Sequence, residues 1–156
     1  MDKEVMPINI KGLIPTSTGV AVFLGTKDKT FVIYIDPAVG QSLSLAINDV
    51  KRSRPLTHDL VTHILMGLEA KLDRVVINEV DSDKFFARLF INMENELGKK
   101  IIEIDARPSD SLVLAVQNKR PILVSKSVLE SVEDMTSVFE DIKSRNEDDE
   151  TPAGEI

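Results

Sequence analysis

The sequence predicts an α+β domain in which about four helices pack on a mainly antiparallel sheet. Short apolar runs occur in groups of three, apolar residues recur at helical spacing between those groups, and Pro or Gly marks the junctions. Strands that are grouped in this way favour antiparallel pairing, whereas strict alternation with helices would favour a parallel sheet. The predicted order is β-β-β-α-α-β-β-β-α-β-α.

Three strands and a helix open the chain. Residues 5–14 and 20–25 are short apolar runs separated by a turn, and the run 30–35 is rich in β-branched and aromatic residues. The second and third runs are close enough along the chain to form a hairpin. Asp36 then caps a predicted helix over 37–50 because Pro37 supplies a preset first position.

A second helix is predicted from Thr57 to about residue 72. Thr57 is of a type that caps helices, with an apolar residue before it and another four residues later. A single broad apolar stripe then follows at helical spacing. It consists of Leu60, Val61, Ile64, Leu65, Leu68 and Leu72.

A second group of strands follows. Residues 74–80 and 84–94 are joined by an Asp-Ser-Asp turn and predict the clearest hairpin of the sequence, which a strand at about 100–105 extends. Pro108 or Ser109 opens a helix after that strand. Because a hairpin again precedes a helix that begins with proline, the architecture hints at a duplication, although no sequence repeat accompanies it.

The chain is predicted to end with a short strand from Pro121 and a helix over about 127–143. We expect residues 1–145 to form one domain and residues 146–156 to form a disordered tail. That tail carries five acidic residues and no basic one.

Composition narrows the class of protein. The chain has 156 residues and no cysteine, which excludes a disulfide framework and a thiol nucleophile. The first residues alternate charged and short apolar groups, and no apolar run approaches the roughly 18 residues that a membrane span needs. We therefore expect a cytoplasmic protein that does not associate with membranes.

The net charge of −7 comes mostly from the predicted tail. Outside it, 21 acidic residues face 19 basic ones, so the body is close to neutral. This balance leaves room for a local basic groove, and it predicts that any binding of nucleic acid is weak and steeply dependent on salt.

The segment "DARPSDS" places Asp105, Arg107 and Asp110 at a junction between a strand and a helix. Helix-start chemistry explains most of it, since Asp105 or Ser109 can cap the helix and Asp110 complements the helix dipole. Arg107 is not explained in this way. A cation at such a junction suits a phosphate, because backbone N–H groups also point outward there.

The segment "RPLTHDL" places Arg54, His58 and Asp59 at another helix start. Asp59 in the first turn is favourable for the helix dipole, whereas a protonated histidine there is not, so helix stability gives no reason for His58. His58 is therefore a candidate general base or acid. Arg54 is a second candidate for binding phosphate oxygens.

A metal site is a further expectation, which requires the two helix starts to meet. Asp59, Asp105 and Asp110 would then offer carboxylate oxygens, which Mg²⁺ and Mn²⁺ prefer. Arg54 and Arg107 would hold the phosphate of a nucleic acid while the metal assists hydrolysis.

The same segments resemble the signature blocks of the bifunctional nuclease domain family, in order and spacing. The blocks are "RPLTHDL" (54–60), "RVVI" (74–77), "FFARL" (85–89), "IDARPSDSLVLA" (104–115) and "PILV" (121–124). The resemblance implies an α+β fold, a homo-oligomer, and degradation of DNA and RNA. By motif position, the family's residues fall on Arg54, His58, Asp59, Asp105, Arg107 and Asp110.

One position departs from the family pattern. After the strand "VIYI", members commonly carry a glutamate at the first helix where this chain has Val39.

The sequence leaves two hypotheses for the function. The first is a metal-assisted nuclease with little sequence preference. The second is a non-catalytic oligomeric binding or scaffolding module, in which the same arginines and aspartates fasten the helix starts to the sheet.

Overall fold

The computed structural model describes residues 4–149, which form seven strands and five helices. The strands are β1 (Val5–Pro15), β2 (Val20–Gly25), β3 (Thr30–Ile35), β4 (Ala70–Asp81), β5 (Lys84–Asn95), β6 (Gly98–Ala106) and β7 (Ile122–Ser125). The helices are α1 (Pro37–Ile47), α2 (Thr57–Gly67), α3 (Pro108–Gln117), α4 (Lys126–Ser131) and α5 (Thr136–Asp149). The predicted α+β class and element order are confirmed, with one helix more than expected.

The seven strands form one sheet in the order β3-β2-β1-β7-β4-β5-β6. Every neighbouring pair is antiparallel except β4 and β7. The two meanders β1–β3 and β4–β6 are therefore joined within the sheet by β7, which comes last in sequence. Each meander leads into a helix that begins with proline, so the predicted recurrence of hairpin and helix is present in the architecture.

Both predicted hairpins are confirmed. β2 and β3 pair from Val20↔Ile35 to Gly25↔Thr30, and β4 pairs with β5 along its length. At the β4–β5 turn, Ser82 and Asp83 have φ values of 48° and 64°. Such left-handed conformations are most accessible to Gly, Asn and Asp, which agrees with the turn read from the sequence.

Helix α2 is shorter than predicted. It ends at Gly67, and the chain reverses through Glu69, whose φ is 58°, before β4 begins at Ala70. The prediction that Leu72 belongs to the helix was wrong, since Leu72 lies in β4 and is 4% exposed. A leucine in a buried strand fits the apolar stripe of a preceding helix by coincidence of spacing.

The last predicted helix is two helices, α4 and α5. The chain breaks between them because the Asp134 carboxylate accepts hydrogen bonds from the backbone of Thr136 at 3.0 Å and of Thr30 at 3.3 Å. α5 continues to Asp149 and includes the first residues of the predicted tail. The remaining tail, 150–156, lies outside the described residues.

The core lies between one face of the sheet and helices α1 and α3, which also pack against each other. The residues from Leu112 to Ala115 in α3 are all buried, as expected of a helix that is apolar all round. Gly40 allows α1 to approach β2 closely, since a Cβ there would lie 2.5 Å from Cγ2 of Val20.

The sheet coils so strongly that the edge strand β3 comes close to β5. Phe31 in β3 stacks on Phe85 in β5 with ring centroids 5.9 Å apart, although β2, β1, β7 and β4 lie between these strands in the sheet. The coil brings the end of β3 close to the start of α3. A cleft opens between them.

Candidate functional site

Three helix starts meet beside this cleft. Asp36 caps α1, His58 lies in the first turn of α2, and Arg107 and Asp110 lie at the start of α3. Pro108 is the first residue of α3, as predicted. The expectation that Asp105 or Ser109 caps this helix was wrong, because Arg107 occupies the cap position without a side-chain capping bond.

Asp110 links two of these helices. Its Oδ1 lies 2.9 Å from Nε2 of His58, and its Oδ2 accepts a hydrogen bond from Nε of Arg107 at 3.0 Å. The His58 side chain is only 9% exposed. Both carboxylate oxygens of Asp110 are thus occupied, one by a buried imidazole and the other by a guanidinium.

The pKa shifts of Asp110 and Arg107 keep both side chains charged, which strengthens their contact. Burial raises the pKa of Asp110, but hydrogen bonds from His58 and Arg107 and the charge of Arg107 outweigh it, so the pKa is lower than its ordinary value. The hydrogen bond that Arg107 donates to Asp110, together with the negative charge of Asp110, raises the pKa of Arg107. Asp110 is therefore an anion at neutral pH and fixes the direction of the Arg107 side chain.

Arg107 also faces Asp36. Its Nη1 lies 3.7 Å from Oδ2 of Asp36, while Oδ1 of Asp36 accepts the capping bond from the backbone N–H of Val39 at 3.0 Å. The Arg107 side chain is nevertheless 64% exposed. Arg107 is held by Asp110 and Asp36 at an open surface, and it contacts neither Asp105 nor Asp59.

The cleft beside Arg107 has a volume of about 870 Å³. Its walls are β3 on one side and the β4–β5 turn with the start of α3 on the other, and the residues before α5 close one end. Phe31, Ile33 and Phe85 form an apolar part of its lining, called its floor below. The polar residues on its lining include Asp36, Asp83, Lys84, Arg107, Ser109 and Glu133.

Asp59 belongs to a different cluster. Its carboxylate accepts hydrogen bonds from Nε and Nη2 of Arg52 at 2.7 to 3.2 Å, and from Nε2 of Gln117 at 3.2 Å. It also accepts the backbone N–H of Leu56 at 2.8 Å. Leu56 is the N-cap residue of α2, so the prediction that Thr57 caps this helix was wrong.

The Arg52 hydrogen bonds are the main reason that the pKa of Asp59 lies below its ordinary value, although burial opposes them. The side chains of Arg52 and Asp59 are 19% and 22% exposed, so the pair is largely enclosed. This cluster fastens the start of α2 to the loop before it and to the end of α3.

Arg54 and Asp105 join neither cluster. Both are exposed, and among residues 4–149 neither side chain makes a hydrogen bond or an ion pair. Asp105 pairs in register with Arg88, whereas Ile104 pairs with the core residue Leu89. Because side chains alternate along a strand, Asp105 projects from the sheet face opposite to the core.

The three carboxylates predicted to bind a metal are thus not brought together. Asp59 and Asp110 each bind an arginine in separate clusters, and Asp105 points away from both. Within the described chain, no group of three His, Cys, Asp or Glu side chains is placed to hold a metal ion. The expectation of Mg²⁺ or Mn²⁺ stays a prediction, and no chemical step is assigned to a metal.

Val39 occupies the position at which the family resemblance leads one to expect a glutamate. It is 9% exposed and packs in the core beneath the cleft wall. Its backbone N–H holds Asp36 in the capping geometry. At this position the chain therefore contributes apolar contact and the orientation of Asp36, and it does not contribute a carboxylate.

Sequence reasoning missed three members of these clusters. Asp36 was recognised as a helix cap but not as a partner of Arg107, and Arg52 and Gln117 were not considered. The recurrence of a hairpin followed by a proline-started helix was a usable signal for Asp36, since it places Asp36 and Arg107 at equivalent junctions. Nothing in the local sequence distinguishes Arg52 from its neighbour Arg54.

Comparison with known proteins agrees with this arrangement of motifs. The bifunctional nuclease domain matches residues 22–136. The chain belongs to this family. No helix in the described part of the chain is long and apolar enough to cross a membrane.

The individual proteins that match this chain are 31% to 35% identical to it over part of its length. Uncharacterized proteins of two Mycobacterium tuberculosis strains are 31% identical over 102 residues, which is 65% of this chain and 58% of theirs. Bifunctional nuclease 2 of rice is 35% identical over 88 residues and Bifunctional nuclease 1 of Arabidopsis thaliana is 33% identical over 86. These matches span 26% of each plant protein, so the chain corresponds to about a quarter of their length.

Proposed function

We propose that this bifunctional nuclease domain binds DNA or RNA in the cleft beside Arg107 and hydrolyses its phosphodiester bonds with little sequence preference. The observation that carries the proposal is the state of Arg107, whose side chain is 64% exposed at the cleft and yet oriented by Asp110 and Asp36. A cation that is both fixed and accessible suits a phosphate. The names of the two plant relatives support the reaction class.

Arg107 has N–H groups to spare for a substrate. Nε donates to Asp110, and the 3.7 Å separation of Nη1 from Asp36 is an ion pair beyond hydrogen-bonding distance. The terminal nitrogens can therefore donate to the non-bridging oxygens of a phosphate. These bonds strengthen as negative charge develops on the phosphate during attack by water and departure of the leaving oxygen.

The structure favours a positioning role for His58 over the general acid or base role expected from sequence. His58 does not line the cleft, its side chain is 9% exposed, and its Nε2 contacts Asp110. We therefore assign it the orientation of Asp110, which in turn orients Arg107. Asp36, which is 46% exposed and lines the cleft, is the carboxylate best placed to accept a hydrogen bond from the attacking water.

A cleavage assay tests the proposal. Single- and double-stranded DNA and RNA are incubated with wild type, Arg107→Ala and Arg145→Ala, each with Mg²⁺, Mn²⁺ or a chelator. Arg145 is a matched control because it pairs with Asp141 at 3.1 Å on α5 and is 77% exposed. We expect Arg107→Ala alone to lose about 100-fold in kcat/KM, the equivalent of about 2.7 kcal/mol.

Equal cleavage by wild type and Arg107→Ala would show that the activity lies elsewhere or in a contaminant. The chelator arm tests the expectation of a metal independently of Arg107. Repeating the binding step at increasing salt tests the expectation that binding is weak and steeply dependent on salt, since each phosphate contact releases counterions and makes the affinity fall faster with salt.

A specific observation favours the second hypothesis, an oligomeric binding module. Leu60 and Ile64 on α2 and Leu68, the C-cap residue that follows it, are spaced four residues apart and are 53%, 51% and 58% exposed. Val61 and Leu65 instead pack against the core. An uncovered apolar stripe on a helix is typical of an interface. We propose a homo-oligomer through this stripe, and light scattering of wild type beside Leu60→Gln/Ile64→Gln tests it, since only the variant should be monomeric.

A further inference from the structure

The cleft runs along the free edge of β3. Six consecutive residues, Phe31 to Asp36, line it. Successive side chains of a strand point to opposite faces of a sheet, so a cavity that touches all six follows the backbone edge. β3 is the outermost strand at its end of the described sheet, and its only partner there is β2.

The direction of the backbone groups along this edge follows from Thr30. Its N–H donates to Oδ1 of Asp134 at 3.3 Å, and its carbonyl oxygen accepts the N–H of Met135 at 2.6 Å. Both groups therefore point away from β2. Because this direction alternates in an antiparallel pair, the N–H and carbonyl groups of Val32 and Tyr34 point the same way, towards the cleft.

No hydrogen bond within the described chain uses the outward groups of Val32 and Tyr34. The edge is thus occupied at Thr30 by the residues before α5 and is open beyond it. The occupied position shows that a second chain segment can lie beside β3. The open positions offer donors and acceptors at the spacing of a strand, in a cleft whose floor includes Phe31, Ile33 and Phe85.

We propose that an extended peptide segment of a partner protein docks in this cleft as an added strand beside β3, with apolar side chains at alternate positions. Backbone groups supply the binding, and the apolar floor selects the side chains that point inward. A polynucleotide lacks amide groups at this spacing and would use Arg107 instead.

The peptide and the nucleic acid would compete, because Arg107 lies at the Asp36 end of the same cleft. Only this competition rests on the proposed function. Peptide binding itself does not depend on nuclease activity.

Amide exchange measured by NMR on the full chain tests the edge directly. Before any addition, the Val32 and Tyr34 amides should exchange at least ten times faster than those of Phe31 and Ile33. The probe is the acetylated, amidated peptide Lys-Val-Thr-Val-Thr-Val. It should slow exchange at Val32 and Tyr34 at least tenfold, and absence of protection at millimolar peptide would overturn the proposal.

N-methylated peptides separate strand addition from simple apolar binding. One peptide carries N-methyl groups on its valines, and another carries them on its threonines. One of the two sets faces β3, so one peptide should bind at least ten times more weakly while keeping the same side chains. Equal binding by both peptides and the unmodified probe would refute strand addition.

Val32→Pro provides the matching change in the protein, since proline removes an outward donor and edge strands tolerate it. Its thermal melt shows whether it folds, and the methylated peptides give the answer if it does not. Arg107→Ala should bind the probe like wild type and lose cleavage. Binding without any nuclease activity would refute the proposed function alone, whereas nuclease activity that depends on Arg107 without peptide binding would refute strand addition alone.

Discussion

Two arginine–aspartate clusters at helix starts differ in what surrounds them. The Arg52–Asp59 pair has hydrogen bonds of 2.7 to 3.2 Å, adds Gln117, and leaves about a fifth of each side chain exposed. The Arg107–Asp110 pair has one hydrogen bond of 3.0 Å and leaves 64% of Arg107 exposed at a cleft. In the first cluster several hydrogen bonds link Arg52, Asp59 and Gln117, which also line a smaller cavity of about 380 Å³. In the second, Arg107 is largely exposed and has donors left for a ligand.

The difference separates stability from function. A partly enclosed ion pair with several hydrogen bonds leaves an unsatisfied charge when one partner is removed, so its loss destabilises the fold. An exposed pair contributes little to folding because water screens it. This contrast supports the proposal that Arg52 and Asp59 stabilise the fold and that Arg107 binds the substrate.

The largest expected effect is that substitutions of Arg107 and Arg52 act on different properties, the first on activity and the second on stability. Arg107→Ala should lose about 100-fold in kcat/KM with an unchanged thermal midpoint, and Arg52→Ala should lower the midpoint by several degrees while keeping kcat/KM within about threefold. Parallel melts and cleavage assays on both variants measure this. A fall in stability on Arg107→Ala alone would reverse the assignment.

The next effect is on stability at Asp59. Asp59→Asn keeps the shape of the side chain but removes the charge that accepts two Arg52 nitrogens, and we expect a loss of about 2 kcal/mol in the free energy of unfolding. Urea unfolding at neutral pH measures it. Asp105→Asn is the control, since Asp105 is exposed and lies outside both clusters, and it should change the free energy by less than about 0.5 kcal/mol.

A smaller effect is expected at His58. His58→Gln keeps a donor towards Asp110 and should lower kcat about threefold, whereas His58→Leu leaves Oδ1 of Asp110 without its partner and should lower kcat about tenfold with KM raised as Arg107 loses its orientation. The pH profile adds a readout that a purely structural role would not change. If His58 were the general base, both variants would lose the acidic limb of that profile.

The smallest effect is the dependence of stability on pH. Because the pKa of Asp59 is below its ordinary value of 3.8 in the folded protein, its contribution is fully present above that value and is lost as the pH falls through the folded pKa. The difference in unfolding free energy between wild type and Asp59→Asn should thus shrink between pH 5 and pH 2. A difference that stays constant over this range would contradict the charge-based account.

Most of the fold could be predicted from the sequence because the signals for its hairpins and helix starts are local. The hairpins, the Asp36-Pro37 helix start and the proline at the start of α3 all follow from residues within a few positions of each other. The central position of β7 and the coil of the sheet depend on pairing between strands that are far apart in sequence. The four residues of β7 carry no local signal of which strands they pair with. The end of α2 was misplaced because Leu72 continued the helical spacing into a strand.

The candidate site was predicted only as a set of segments. The site hypothesis required the two helix starts to meet, and Nε2 of His58 does lie 2.9 Å from Oδ1 of Asp110. Asp59 and Asp105, from the same two segments, point elsewhere. A helix directs adjacent residues about 100° apart and a strand directs them to opposite faces, so membership of a motif does not decide which cluster a side chain enters. Asp36 lies in the site because the coil of the sheet brings the end of β3 close to the start of α3.

The location of β7 has a consequence for synthesis of the protein. Within the described residues, the meander β1–β3 and the meander β4–β6 meet in the sheet only through β7, which is the last of the seven strands in sequence. Each meander can pair internally during translation, but the joined sheet has to wait for residues 122–125. A nascent chain that stalls before this point is therefore expected to expose the edges of β1 and β4 that pair with β7 in the folded protein, and unpaired strand edges favour aggregation.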